Sequence, residues 1–291
     1  MTSTDAAADA WAFDGIGTRW QIDTQRPLTG TERDRVTALV DRFDRDWSRF
    51  RADSVVAGIR AAAGRHELPA DAGPLMELYR TLYEISDGAM SPAVGGGLEA
   101  LGYDAAYSLR PGDPVPAPSF ADAVWTPPYL HTTEPFVLDV GAAGKGYLAD
   151  QVAGVVAGEL GPDAEFTVDA SGDLVRRGPA IRVALEHPLN PGSAVGVAEI
   201  GDAALCGSAV NRRAWGDGLH HVLDARTGLP VDGPLATWVV AGDALTADAL
   251  ATALFFTPPE RLADAFTFDY VIMPSARELR SSPGFPGEVF A

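Results

Sequence analysis

The 291-residue sequence contains a single cysteine, Cys206, and little positive charge. One cysteine excludes an internal disulfide framework and any zinc site built from several thiolates. Cys206 lies in an apolar stretch, which predicts a buried small side chain rather than a reactive thiol. The 22 lysine and arginine residues stand against 40 aspartate and glutamate residues, so the net charge is -18. This balance disfavours a general nucleic-acid-binding protein, which needs a basic surface, and it disfavours docking on anionic lipid.

Long apolar runs are also missing. No stretch approaches the roughly 20 apolar residues that cross a membrane, so we expect no membrane insertion. Residues 1–10 are small and acidic, and they lack the basic start and apolar centre of a signal peptide. We therefore expect a cytoplasmic protein whose residues 1–10 are disordered.

The remaining composition is that of a globular protein, with 46% hydrophobic residues. The length is compatible with one large domain or with two. Apolar residues at helical spacing predict helices over residues 31–50, capped by Thr31, and over residues 73–88. Short strand-like runs, such as Phe136–Val140, lie between helices without a steady alternation. This mixture favours an α+β fold over a doubly wound sheet.

An Ala/Leu-rich segment over residues 241–256 predicts a helix that carries Asp248 and Thr252. Residues four apart project from one face of a helix, one turn apart. A carboxylate and a hydroxyl in this arrangement offer two oxygen ligands to Mg²⁺, which takes one or two carboxylates and completes its shell with water and phosphate. Taken alone, such a pair is more often a solvated polar stripe of a surface helix.

A glycine-rich loop over residues 141–146 is compatible with phosphate binding, but it matches neither common nucleotide motif. A Walker-type loop would need a glycine at Asp139 and a Ser or Thr at Gly146. The residues Gly144–Ala149 fit a dinucleotide-binding pattern, but the flanking strand–helix units are missing. Glycines still let backbone amides approach a phosphate at a helix N-terminus, and Lys145 supplies a positive charge there.

Four segments, in this order, resemble signatures of the FAD:protein FMN transferase (ApbE) family. They are Leu138–Tyr147 (LDVGAAGKGY), Ala170–Asp173 (ASGD), His221–Gly228 (HVLDARTG) and Ala247–Thr252 (ADALAT). Weaker matches occur at Gly17–Thr18, Trp47–Phe50 and Gly88–Gly95. Each motif is modest, but the ordered set is specific and runs from about residue 16 to residue 273.

The resemblance implies one compact α+β domain over residues 1–291, with a mixed or antiparallel sheet packed by helices. It implies an enzyme that splits FAD at its pyrophosphate, moves FMN onto a Thr or Ser hydroxyl of an acceptor protein and releases AMP. It further implies Mg²⁺ as the metal and FAD as the substrate.

The resemblance also assigns site residues. Mg²⁺ would be held by Asp248, Thr252 and the backbone carbonyl of Ala142. Positions that contact FAD in the family match Asp139, Lys145, His221, Phe50, Ala89, Met90 and Ser91.

His221 is the candidate general base, because a neutral imidazole accepts a proton near pH 7. A structural histidine is the alternative for this position, and the adjacent His220 is expected to face the other way. Arg226 is expected to brace the turn at Asp224. Asp173 could cap its own turn through local backbone bonds.

Two alternative functions use the same residues. An FAD pyrophosphatase would replace the protein hydroxyl by water and give FMN and AMP. A flavin-binding protein without turnover is suggested by Met90 and Ser91, which stand where the family has Phe and Asp; Ile16 replaces a usual Met.

Overall fold

The structure is a computed structural model that describes residues 9–216 and 218–290. Its helices are α1 (Gly30–Trp47), α2 (Val55–Ala61), α3 (Gly73–Ile85), α4 (Gly95–Ala100), α5 (Gly144–Leu160), α6 (Ala244–Ala253) and α7 (Pro259–Ala263). Its strands are β1 (Asp9–Gly15), β2 (Thr18–Thr24), β3 (Gly64–Glu67), β4 (Val124–Thr126), β5 (Tyr129–Thr132), β6 (Phe166–Asp169), β7 (Leu174–Arg177), β8 (Ile181–Glu186), β9 (Ala194–Ile200), β10 (Ala203–Ala209), β11 (Ala214–Trp215), β12 (Leu219–His220), β13 (Leu223–Asp224), β14 (Leu229–Pro230), β15 (Ala236–Ala241), β16 (Asp269–Ser275), β17 (Glu278–Ser281) and β18 (Gly287–Val289).

Strand β1 begins at Asp9, inside the segment 1–10 that the sequence predicts to be disordered. The rest of that segment, residues 1–8, lies outside the described residues.

Helix α1 starts one residue before the predicted position because its cap is Thr29 rather than Thr31. The Thr29 hydroxyl accepts the Glu32 N–H at 3.3 Å, and the Glu32 carboxylate accepts the Thr29 N–H at 2.7 Å. This reciprocal capping box satisfies two N–H groups at the helix start.

The main sheet has eight strands in the order β1-β2-β6-β7-β10-β15-β16-β17. Every neighbouring pair in it is antiparallel. The predicted α+β class is therefore confirmed. A dinucleotide-binding fold is excluded, because it requires a mostly parallel sheet.

The predicted strand at Phe136–Val140 is wrong; this segment is irregular. Its backbone bonds go to the turn around Pro92 instead of to a strand. Asp139 N–H donates to the Pro92 carbonyl at 2.7 Å, and Gly95 N–H donates to the Val137 carbonyl at 3.2 Å. The helical turn at Pro92 therefore holds the segment that leads into the glycine loop.

Helices cover one face of the main sheet. α6 packs on β10 and β15, α5 packs on α6, and α1 packs on α5, and their apolar side chains form the larger hydrophobic core. Buried Ala and Val side chains on several sides of α5 suit a helix enclosed between two others. No helix in the described part of the chain is long and apolar enough to cross a membrane.

A three-stranded antiparallel sheet, β18-β9-β8, covers the other face of the main sheet. A second core lies between them, with Leu185 and Ile200 from the small sheet and Leu205 and Val271 from the main sheet. Strand β15 is buried almost throughout because it has packed layers on both faces. The two layers leave a cleft at their junction.

Candidate active site

One cleft of about 1010 Å³ collects all but one of the residues predicted for the site. The predicted residues that line it are Phe50, Met90, Ser91, Asp139, Ala142, Lys145, His221, Asp248 and Thr252. This volume lies at the upper end of the usual range for ligand pockets, about 300–1,000 Å³. Residues as distant in sequence as Phe50 and Thr252 therefore meet in one place.

Ala89 is the predicted site residue that does not line the cleft. It is buried, and its carbonyl accepts the Ala225 N–H at 3.0 Å. This bond ties the Ala89–Ser91 stretch to the turn at Asp224. Ala89 therefore lies behind the cleft wall, where its backbone bond holds Met90 and Ser91 in position.

Asp248 and Thr252 project from α6 one turn apart, as their spacing predicts. Asp248 is buried, and its Oδ2 accepts the Gly146 N–H at 2.9 Å. The Thr252 hydroxyl lies 3.1 Å from the Ser208 hydroxyl of β10. Ala142 lines the same cleft from the loop before α5.

Gly146 allows this close approach of α5 to α6. A Cβ atom at this position would lie 2.1 Å from the Ala244 carbonyl oxygen and 2.6 Å from the Asp248 Cβ. Any larger residue would push the start of α5 away from Asp248.

The first turn of α6 is held by two carboxylates. Asp243 caps it by accepting the Thr246 N–H at 2.7 Å. Asp150, from α5, accepts the N–H groups of Ala244 at 2.9 Å and of Leu245 at 2.8 Å. Burial raises the pKa of Asp150 to about 6, although these two N–H donors act in the opposite direction. Asp150 thus fixes α6 on α5.

Lys145 forms an ion pair with the fully buried Asp173, with Nζ 2.5 Å from Oδ2. Burial lowers the pKa of Lys145, but the charges of Asp173 and Asp248 outweigh it and raise this pKa overall. Burial, followed by the charge of Asp173, raises the pKa of Asp248 well above its ordinary value. Two buried carboxylates therefore share one ammonium group.

Asp173 does not cap its own turn. Its Oδ2 pairs with the Lys145 ammonium, and neither oxygen accepts a backbone N–H of the turn. The turn is instead held by Asp169, whose Oδ1 accepts the Gly172 N–H at 2.9 Å. The sequence signal for Asp173 is its place at the end of the matched ASGD segment, directly after a strand.

Arg49 is a site residue that sequence reasoning missed. Its side chain is only 2% exposed, and its Nε donates to Asp139 Oδ2 at 2.6 Å. Its guanidinium stacks 4.2 Å from the Phe50 ring centroid and 4.8 Å from that of Tyr103. Asp139 is therefore held from one side by Arg49 and from the other by the Gly141 N–H, at 2.7 Å.

His221 lies in the cleft wall just after β12. Its side chain is partly buried, and its Nδ1 is buried with no hydrogen-bond partner among the described residues. Burial, followed by the positive charge of Arg213, lowers the pKa of His221 to about 4. The imidazole is therefore neutral at pH 7, which a general base requires.

His220 has a structural role instead, since its Nδ1 accepts the Val222 N–H at 3.3 Å. Arg226 braces the turn as predicted, with Nε and Nη2 at 2.9 Å and 2.6 Å from the Asp224 carboxylate. Cys206 is free and buried, which confirms its predicted character.

Aromatic rings form part of the cleft wall. Phe50 stacks on Tyr107 with ring centroids 5.5 Å apart and planes 16° apart. Tyr103 contacts both rings and also Trp215. A wall of this kind offers flat apolar surface to a heteroaromatic ring.

Comparisons with family models and with curated sequences identify related proteins. A model of the ApbE family matches residues 16–269. The FAD:protein FMN transferase of Rhodobacter capsulatus is 29% identical over 262 residues, which cover 82% of this chain and 49% of that protein. The chain thus spans about half the length of this relative. The FAD:protein FMN transferase of Treponema pallidum is 27% identical over 277 residues, covering 82% of this chain and 76% of that protein.

Solved structures share the fold. The ApbE protein from Thermotoga maritima aligns with a TM-score of 0.83 at 21% identity, over 97% of this chain and 100% of that chain. The flavin transferase ApbE from Vibrio cholerae aligns with a TM-score of 0.81 at 19% identity, over 96% of this chain and 98% of that chain.

Proposed function

The chain belongs to the ApbE family, and from this premise we propose that it is an FAD:protein FMN transferase. It splits FAD at the pyrophosphate, transfers FMN to a Thr or Ser hydroxyl of an acceptor protein and releases AMP. The names of the relatives found by sequence support the class of reaction. The observation that carries the proposal is the shared cleft, in which Lys145, His221 and the Asp248–Thr252 pair face one volume.

Mg²⁺ suits the donor set on α6 and the glycine loop. Lys145 is in an ion pair with Asp173, and burial raises the pKa of Asp248, so a cation bound beside Asp248 would favour its ionised form. Among the described residues, no group of three or more His, Cys, Asp or Glu side chains could hold a metal. A site with one carboxylate, the Thr252 hydroxyl and the Ala142 carbonyl suits Mg²⁺, which retains several waters. When bound there, Mg²⁺ would neutralise charge on the diphosphate oxygens.

The residues of the chain would each supply a defined part of the transfer. Lys145 places a positive charge beside the diphosphate, and Asp173 holds that ammonium in place. Asp139, fixed by Arg49, binds FAD from the loop, while the aromatic wall around Phe50 receives a ring. Electrostatic stabilisation and positioning carry most of the catalysis in phosphoryl transfer.

His221 would accept the proton of the acceptor hydroxyl on its imidazole ring, which lines the cleft. The hydroxyl oxygen then bonds to the FMN phosphorus, the bridging P–O bond breaks, and AMP leaves with the electron pair. A positioned base of this kind is worth roughly 10²–10⁴-fold in rate.

The test is to incubate the purified protein with FAD, Mg²⁺ and candidate acceptor proteins. The proposal expects AMP release together with an FMN mass increment on a Thr or Ser. FMN released without an acceptor at the same rate would indicate an FAD pyrophosphatase. FAD that is bound but not consumed would indicate a non-catalytic flavin-binding protein.

The cytoplasm stays the proposed compartment. Fractionation of the native host tests it: recovery of most of the protein in the membrane or secreted fraction would contradict it.

A further inference from the structure

One edge of the three-stranded sheet opens into the active-site cleft. Strand β8 pairs with β9 on one side, and on its other side it pairs with none of the described strands. Val183, Ala184 and Leu185 of β8 line the same cleft as His221 and Asp248. An unpaired strand edge is a template for another strand, and natural proteins usually cover or charge such edges.

The hydrogen bonds of β9 show which groups of β8 point outward. In an antiparallel ladder, the backbone groups of successive residues point alternately to the two neighbouring strands. On the β18 side of β9, Glu199 N–H donates to the Pro286 carbonyl at 2.7 Å, and Phe290 N–H donates to the Val195 carbonyl at 2.8 Å. The odd-numbered residues of β9 therefore face β18, and its even-numbered residues face β8.

The even-numbered residues Ala198 and Gly196 lie opposite Val183 and Leu185 of β8. The backbone N–H and C=O groups of Val183 and Leu185 therefore bond to β9. The N–H and C=O of Ala184, between them, point away from β9, at the edge that lines the cleft.

The side chains of β8 leave this edge accessible. Leu185 is fully buried in the second core, and Val183 packs against that core. Ala184 is exposed, and its methyl group is too small to shield the backbone beside it. The arrangement presents bare backbone directly beside the site.

We propose that the β8 edge binds the acceptor protein. A segment of the acceptor, in extended conformation, adds to the sheet as a fourth strand beside β8 and presents its Thr or Ser hydroxyl to the cleft. This inference rests on the proposed transferase function, and it names the way in which the protein substrate is recognised. Backbone hydrogen bonds give such strand addition its affinity, and alternate side chains give it specificity.

The pleat of the added strand orients the hydroxyl. Side chains alternate between the two faces of a sheet, so every second residue of the added strand lies on the face of Val183 and Leu185. That face points to the main sheet, where Ser208 lines the cleft and lies 3.1 Å from the Thr252 hydroxyl. The modified residue belongs to this inward set.

The first test compares Ala184→Pro with Ala184→Val in the full-length enzyme. Proline removes the outward N–H and fills the edge, and an edge strand tolerates it because that N–H is not in the β9 ladder. Valine has similar bulk and keeps the N–H. The probe is the twelve-residue peptide, from a displayed library with a fixed central Thr, that the wild-type enzyme labels best with FMN.

We expect Ala184→Pro to raise the KM for this peptide by about 10-fold or more, the effect of losing one or two hydrogen bonds. The KM for FAD should change far less than the KM for the peptide, and Ala184→Val, which keeps the N–H, should raise the peptide KM less than Ala184→Pro does. Equal peptide KM values for the proline variant and the wild type would overturn the proposal.

A second test leaves the enzyme unchanged and therefore does not depend on the folding of a variant. The same peptide is N-methylated at one position at a time, and the wild-type KM is measured for each version. Pairing with β8 predicts a period of two, because only every second N–H of the added strand points to β8. A flat profile or one without this period would overturn the proposal.

The outcomes separate this inference from the proposed function. If the enzyme labels the peptide but the N-methylation profile is flat, the transferase function stands and binding at the β8 edge is wrong. If FAD is consumed but no peptide is labelled, the protein is a hydrolase, and the proposal that an acceptor strand binds at β8 is wrong. If FAD is not consumed under any condition, both proposals are wrong.

Discussion

At the scale of the residue, the site is defined by charges that are held inside the protein. Asp173 is fully buried and contacts Lys145, while Asp248 is buried beside them and accepts the Gly146 N–H. A buried carboxylate is costly unless it is paired. Lys145 therefore has two roles, since it balances Asp173 in the protein and would face the diphosphate of a bound substrate.

Asp173→Asn tests this pairing. The change removes the anchor of the Lys145 ammonium and also one negative charge near the substrate. We expect kcat to fall by about 10–100-fold, the range for a mispositioned charge, while the KM for FAD stays equal or decreases. Steady-state kinetics check this split, with Asp169→Asn as the control, because Asp169 accepts the Gly172 N–H instead. A rise in KM with unchanged kcat would contradict the positioning role.

His221→Ala tests the base. We expect kcat for transfer to fall by roughly 10²–10⁴-fold and FAD affinity to stay within about 2-fold. With its pKa lowered to about 4, the imidazole of the free enzyme is neutral above about pH 5, so wild-type kcat/KM should be lost only as the pH falls toward 4. The matched control is His220→Asn, which keeps an acceptor for the Val222 N–H. Wild-type transfer rates in the alanine variant would exclude His221 as the base.

At the scale of the element, α5 and α6 work as one unit. Gly146 brings the start of α5 against α6, and Asp150 accepts two N–H groups from the first turn of α6. Asp248 and Thr252 stand one and two turns further along that helix. The position of both candidate ligands is therefore set by contacts between the two helices.

Asp150→Asn tests this contact through the pH dependence of stability. The folded pKa of Asp150 is about 6, above its ordinary value of 3.8, so the folded state holds the proton more tightly than the unfolded chain does. The free energy of unfolding should therefore fall by about 2–3 kcal/mol as the pH rises from about 4 to about 6, and then level off.

Urea unfolding between pH 4 and pH 7.5 measures this slope. Asp150→Asn and Asp150→Ala should both remove it. The alanine variant should be less stable by about 1 kcal/mol, because it also loses the side-chain acceptor for the Ala244 and Leu245 N–H groups. An unchanged slope in both variants would show that Asp150 does not titrate in this range.

The elements also show how far the sequence could predict the structure. Periodicity found α1, α3 and α6, because amphipathic or Ala-rich helices leave a local pattern. The strand predicted at Phe136–Val140 failed because its partners, Pro92 and Gly95, belong to a helical turn distant in sequence. The pairing of β8 with β9 and the free edge of β8 depend on contacts that no local pattern carries.

The same holds for the site. The Asp248–Thr252 pair and Lys145 lie in motifs, and the cleft contains them as expected. Arg49 was missed because an arginine between a helix and a loop is normally exposed to solvent. Only tertiary packing buries its side chain against Asp139. The sequence left the role of Asp173 open, because a Ser-Gly-Asp turn is compatible with a local cap and only tertiary packing brings Lys145 beside it.

At the scale of the whole molecule, the antiparallel sheet is what brings the site together. Helices pack on one face and the small sheet on the other, and the cleft lies at the end of both layers. The net charge of -18 makes the surroundings unfavourable for a diphosphate. Basic and acidic side chains both line the cleft, namely Arg49, Arg51, Lys145 and Arg213 with Asp44, Asp139, Asp169, Glu186 and Asp248. A divalent cation would therefore be needed to offset the charge of the diphosphate.

The central claim is that the Asp248 face of α6 supports the cleavage of FAD with Mg²⁺. The most direct measurement is the rate of AMP release from FAD as a function of Mg²⁺ concentration, for wild type, Asp248→Asn and the control Asp243→Asn, which keeps the helix cap. We predict that the Asp248 variant loses Mg²⁺-stimulated release by on the order of 10³-fold, while the Asp243 variant retains it. Equal Mg²⁺-stimulated rates for the Asp248 variant and the wild type would contradict the account.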